Sequence, residues 1–170
     1  RIADDTFGRV FTHDLRSAGV HFDVPLADSG EPTGRCLVMV TPDAQRTLCT
    51  HLGAGADLDP TYVDEDLVAD AAITYLEGYL WDQAPAKAAI RAACAAAQAK
   101  GRRVALTLSD PFCVDRNREE FLHLAEHDVD VLFANEQEIT SLYSVARFDD
   151  ALQHVRGHCE IAVLTRGPLG

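Results

Sequence analysis

Apolar residues recur every three to four positions over residues 4–18, where Phe7, Val10, Phe11, Leu15 and Ala18 share one helical face. That spacing predicts an amphipathic helix packed through this face, with Gly19 as its stop. Pro25, Gly30, Pro32 and Gly34 then break the pattern and predict a loop. The period shortens next. Residues 35–41 (RCLVMVT) and 46–52 (RTLCTHL) are rich in β-formers, and residues 42–45 between them predict a hairpin turn of type I with Pro42 near its start. The first strand is apolar on both faces, with Cys36, Val38 and Val40 on one side and Leu37 and Met39 on the other. Such a hairpin needs two covers: the main domain or a substrate on one side, a second subunit on the other.

Beyond residue 66 strand-like and helix-like segments alternate. Strands are predicted at 72–77, 102–109, 129–134 and 160–166, and helices at 84–100, 116–127, 136–143 and 148–155. Ile90, Ala93, Cys94 and Ala97 share one face of the first helix, which Gly101 ends. Asp115 is the expected N-cap of the second, and Phe148, Ala151, Leu152 and Val155 point inward from the last. This alternation predicts βαβ units and a parallel sheet, an α/β fold. Ligands of such sheets bind where strands end at their carboxyl edge. Four stretches qualify: 75–82 (YLEGYLWD), 108–112 (LSDPF), 133–138 (FANEQE) and 164–170 (LTRGPLG).

Composition narrows the function. A net charge of −12 disfavours nucleic acid and anionic membrane as partners, because phosphates are repelled. A local phosphate site remains open where a cation or a helix N-terminus supplies the attraction. The five cysteines are scattered and form no C-x-x-C pair, which points to reduced thiols in a cytoplasmic protein. No run approaches the length of a membrane span, and no signal peptide is legible. The chain opens at Arg1 rather than Met and stops at Gly170 just after an apolar run, so a longer parent protein is expected.

Asn135 and Glu138 close a strand and open a helix three residues apart. They can form a capping box, Asn135 on the amide of residue 138 and Glu138 reaching back. They can also organise a magnesium ion, which takes oxygen ligands and needs few carboxylates when substrate phosphates complete its shell. Glu136 is expected to be simply solvated. Glu77, next to Gly78 and Tyr79, is expected to be a buried acid serving as a ligand contact or a capped structural group. Asp110 before Pro111 is a ligand contact or a turn residue. Thr165-Arg166-Gly167 offers a hydroxyl and free amides to phosphate. HLAEH at 123–127 matches a zinc signature with His123 and His127 on one face, yet shows no third ligand. GAGAD at 53–57 resembles a phosphate loop but precedes no clean helix, and a turn is expected.

Taken together, RCLVMVTPDAQRT, YLEGYLWD, LTLSDPFCVDRNREEF, VDVLFANEQEITSLY and IAVLTRG resemble the PfkB or ribokinase-like family of carbohydrate and nucleoside kinases. The resemblance covers nearly the whole chain and is greatest to the bacterial adenosine-kinase-like sugar kinases. It implies a ribokinase-like doubly wound, mostly parallel sheet with a small β-sheet lid. The lid would occupy 20–54, and an incomplete kinase core 1–19 and 55–170. The implied reaction moves the γ-phosphate of ATP onto a CH₂OH hydroxyl of a sugar or nucleoside. Asn135 and Glu138 match the N-x-x-E motif that organises Mg²⁺ and phosphate, with Glu138 on the metal. Thr165 and Gly167 match the T-x-G element on ATP. Glu77 lies where sugar-binding members place an acid on the acceptor. The resemblance also implies a lid-mediated homodimer.

The family's base is the Asp of a G-A-G-D motif, and no residue of this chain matches it. The 53–57 stretch has an extra Ala and sits near the lid. The expectation is therefore that these 170 residues alone lack kinase activity. A non-catalytic sugar- or nucleoside-binding regulator on the same scaffold is the alternative, and zinc hydrolysis through HLAEH a third.

Overall fold

The computed structural model describes residues 1–167 and 170, which form two compact units, Arg1–Tyr62 and Val63–Gly170.

In the first unit, helix α1 (Thr6–Ser17) starts at Asp5, whose Oδ1 accepts from the Gly8 N–H at 2.8 Å. The same carboxylate takes the Thr33 hydroxyl at 2.8 Å and the Thr33 N–H at 2.9 Å, tying the helix start to the loop. These bonds hold the Asp5 pKa down to about 2. The helix packs through its first turn. A Cβ at Gly8 would lie 2.2 Å from the Ala3 carbonyl oxygen, so only glycine permits this approach. The apolar face expected to be covered is not: Phe7, Val10 and Phe11 are each about half exposed. Periodicity marked the stripe, but the helix is anchored through Gly8 instead.

Strands β1 (Arg35–Val40) and β2 (Arg46–His51) form the antiparallel hairpin, in register from Arg35↔His51 to Val40↔Arg46. Its turn closes through the Ala44 N–H on the Thr41 carbonyl at 2.9 Å, and Ala44 adopts φ 65°. Every hairpin residue is exposed, Leu37 by 72%. Residues 53–56 form a 3₁₀ turn in which the Ala54 N–H donates to the Pro32 carbonyl at 2.8 Å, so that amide is already used.

The second unit holds helix α2 (Glu65–Asp70), strand β3 (Ile73–Glu77), helix α3 (Ala84–Ala99), strand β4 (Arg103–Thr107), helices α4 (Pro111–Arg116) and α5 (Arg118–His123), strand β5 (Val131–Asn135), helices α6 (Glu136–Leu142) and α7 (Phe148–Val155), and strand β6 (Ile161–Thr165). The sheet is parallel in the order β3-β4-β5-β6. Successive right-handed crossovers that step one way across a sheet lay their helices on one face. Leu76, Val104, Leu106, Leu132 and Ala134 point into that face and join Ile90, Cys94, Phe121, Ile139 and Val155 in one core. The opposite face carries Tyr75, packed edge-on against Phe133 at 6.2 Å, together with Ile73, Ile161 and Val163, all but Phe133 exposed. The expected α/β architecture, a parallel sheet plus a small antiparallel one, is present.

Two local expectations need correction. The helix expected at 116–127 is α5 with the π-turn that continues it to Asp128, and its N-cap is Asn117 rather than Asp115. Ahead of it lies a helix that was not expected, α4, capped by Asp110, whose Oδ1 accepts from the Cys113 N–H at 2.8 Å with Pro111 in the first turn. Asn117 leaves helical geometry and separates α4 from α5. Asp115 instead accepts from the Ser141 hydroxyl at 2.6 Å and pairs with Arg118. Helix α2 was not anticipated, because its short, acid-rich sequence has no complete apolar period.

Candidate active site

The carboxyl ends of β3, β4 and β5 bring Glu77, Ser109, Asp110, Asn135 and Glu138 to one edge of the sheet. Asn135 ends β5 and is the register partner of Thr165 at the end of β6. Two sequence motifs thirty residues apart thus become neighbours on adjacent strands.

Asn135 and Glu138 form a full capping box. The Glu138 N–H donates to Asn135 Oδ1 at 2.9 Å. The Asn135 N–H donates back to Glu138 Oε2 at 2.9 Å, and the Asn135 side-chain amide to Glu138 Oε1 at 2.6 Å. Glu138 is only 5% exposed. Burial pushes its pKa up, the Asn135 amide pulls it back, and the Asp110 charge raises it further. The capping and ligand readings are therefore not exclusive. The cap orients a carboxylate that feels the charge of a second one, Asp110.

Asn135, Glu136, Gln137, Thr165, Arg166 and Gly167 line a concavity of about 320 Å³. Thr165 and Gly167 are exposed, and Gly167 has φ 56°. Glu136 is not simply solvated. Its two oxygens meet Arg166 Nε at 3.4 Å and Nη2 at 3.2 Å, and the guanidinium lies 4.5 Å from the Phe148 ring centre.

Glu77 is exposed rather than buried, because it faces away from the helix-covered side of the sheet. It lies on β3, not against the β5–β6 concavity. Ser109 Oγ donates to Glu77 Oε2 at 3.4 Å and accepts from the Tyr79 N–H at 3.2 Å. Ser109 holds φ 73°, a conformation rarely adopted outside glycine. Nothing in the triplet Leu-Ser-Asp signals this role. Partial desolvation, then the charges of Asp110 and Glu138, push the exposed Tyr79 phenol above its usual pKa. Gly78 allows the turn: a Cβ there would lie 2.7 Å from the Leu108 carbonyl oxygen. Beneath it, Trp81 donates its indole N–H to Glu120 at 3.1 Å, and Lys87 and Arg91 pair with the same carboxylate.

The residues present suit a magnesium ion. Buried Glu138 and partly buried Asp110 supply hard oxygen donors on one edge of the sheet, and Mg²⁺ needs only one or two carboxylates besides water and phosphate. Among the described residues no set of three or more His, Cys, Asp or Glu converges as a metal cage. His123 and His127 stack at 4.7 Å, and His127 Nδ1 lies 3.1 Å from the His123 carbonyl, where residues 124–128 form a π-turn.

The pfkB family carbohydrate kinase profile matches residues 1–170. Among solved structures, the chain is similar to adenosine kinase from Sinorhizobium meliloti, with 48% identity and a TM-score of 0.91, covering 97% of this chain and 51% of that one. A probable sugar kinase from Rhizobium etli CFN 42 shares 45% identity and a TM-score of 0.92, covering 98% and 51%. Anopheles gambiae adenosine kinase, solved with P1,P4-di(adenosine-5) tetraphosphate, shares 25% identity and a TM-score of 0.83, covering 98% and 53%. The chain thus spans about half the length of the solved structures it matches.

Proposed function

The chain belongs to the pfkB family of carbohydrate kinases, and from that premise we propose that it carries the lid, part of the sheet and half of the nucleotide site of an ATP-dependent kinase acting on the CH₂OH hydroxyl of a nucleoside or sugar. The observation that carries this reading is the pairing of Asn135 with Thr165 across β5 and β6, with Glu138 locked behind Asn135.

Phosphoryl transfer is chiefly positioning and charge neutralisation. Asn135 holds the Glu138 carboxylate in one orientation, and Glu138, with Asp110 on the same edge of the sheet, would hold the magnesium ion, directly or through water. When bound, that ion neutralises charge on the transferring phosphoryl group. Thr165 offers its hydroxyl and Gly167 its backbone N–H to the phosphate chain. Glu77, oriented by Ser109, accepts a hydroxyl proton of the acceptor in a hydrogen bond. No residue of this chain is assigned as the base. Residues 20–54 act as the lid, and the two apolar faces of the hairpin support a homodimer clasped there. The five unpaired cysteines and the acidic charge support a cytoplasmic setting, and among the described residues no helix is long and apolar enough to cross a membrane.

The test is an ADP-release screen of the full-length protein with Mg²⁺·ATP and adenosine, ribose, fructose and other nucleosides. Turnover with one acceptor class, abolished by chelation, supports the reading. Tight binding of such a ligand with no ADP release from any of them defeats it in favour of a non-catalytic binder.

A further inference from the structure

The concavity at the ends of β5 and β6 holds one cation and one anion among its lining residues, Arg166 and Glu136. The two are joined fork to fork, Nε to Oε2 at 3.4 Å and Nη2 to Oε1 at 3.2 Å. A guanidinium fork fits a carboxylate and a phosphate by the same bidentate geometry. Phe148 backs the guanidinium at 4.5 Å and limits where it can swing. The Glu136 carboxylate therefore occupies the donors that a phosphate would otherwise take. Both side chains remain more than a third exposed, so the pair is open to exchange.

We infer that Glu136 is an affinity-setting residue, a competitor within the chain for the Arg166 guanidinium, that holds polyphosphate binding below what the cleft would otherwise give. This rests on the reading that the cleft receives the phosphate chain of a nucleotide. Its physical content is one of sign. With both residues present the pair adds no net charge. Neutralising Glu136 leaves an unpaired cation facing a polyanion; neutralising Arg166 leaves an unpaired anion there. A pair that served only to brace the turn at 165–167 against α6 would behave otherwise, since breaking it from either side loosens the same brace.

The experiment measures dissociation constants of ATP and of inorganic tripolyphosphate by calorimetry on the full-length protein. The variants are E136Q, R166Q, the double E136Q/R166Q, and T165V as a control on the nucleotide reading. The expected result is binding tightened by roughly threefold to tenfold in E136Q and weakened by a similar factor in R166Q, with the double variant near wild type. The E136Q gain should shrink as salt rises from about 0.02 to about 0.5 M. Equal weakening in both single variants overturns the inference and leaves a structural brace. No change in either, while T165V weakens ATP binding, overturns the inference but keeps the nucleotide reading. No ATP binding by wild type removes both. If R166Q fails to fold, the sign of the E136Q change alone decides.

Discussion

Both carboxylate oxygens of Glu138 are held by Asn135, one by the backbone N–H at 2.9 Å and the other by the side-chain amide at 2.6 Å. A single residue thus caps α6 and aligns a buried acid. Asn135→Ala removes the cap and half of the clamp. It should cost about 1–3 kcal/mol in urea unfolding and lower kcat as well. An unchanged unfolding midpoint would show that the clamp does not form.

Glu138→Gln separates the two roles of that acid. The folded pKa of Glu138 is raised, so its ionised form is disfavoured by folding, and stability falls as pH rises through that pKa. The amide escapes this penalty but loses an accepted bond, so the net stability change should stay within about 1 kcal/mol. Activity should nonetheless drop by about tenfold or more, with a higher Mg²⁺ requirement. Unaltered Mg²⁺ dependence would leave only the capping role.

Asp5 contributes to the acid limb of the first unit. Its folded pKa is about 2 against a usual 3.8, because Gly8 and Thr33 hydrogen-bond its charged form. Its contribution is complete above about pH 4 and disappears as pH falls toward 2. Asp5→Asn should therefore be less stable than wild type at pH 6, with the gap narrowing by pH 2.5. Thermal melts at the two pH values check this; a constant gap contradicts it.

Gly78→Ala should strain the turn after β3, since its Cβ meets the Leu108 and Thr107 carbonyl oxygens at 2.7 and 2.8 Å. A destabilisation of about 1–3 kcal/mol is expected, together with weaker acceptor binding through displaced Glu77 and Tyr79. A raised KM for acceptor at unchanged KM for ATP is the readout. Equal changes in both constants would contradict a role confined to the acceptor side.

Local pattern determined much of this protein. Short runs of β-formers located the hairpin and the four parallel strands, and helical spacing located α1, α3, α6 and α7, because these local preferences do not depend on what covers the element. The spacing of Asn135 and Glu138 was enough to foresee the capping box, whose bonds span three residues. Only tertiary structure decided the rest. Which face of α1 is covered depended on a contact through Gly8 to Ala3, not on the apolar stripe. Asp115 fell inside α4 rather than before the next helix, because the chain turns into α4 soon after β4 and Asp110 caps it. Ser109 reached Glu77 through a left-handed backbone that no side-chain pattern records. Glu136 met Arg166, and Asn135 met Thr165, only because β5 and β6 pair in parallel register. Hydrophobic periodicity specifies which residues seek burial; the strand order and register specify which polar residues meet at the sheet's edge.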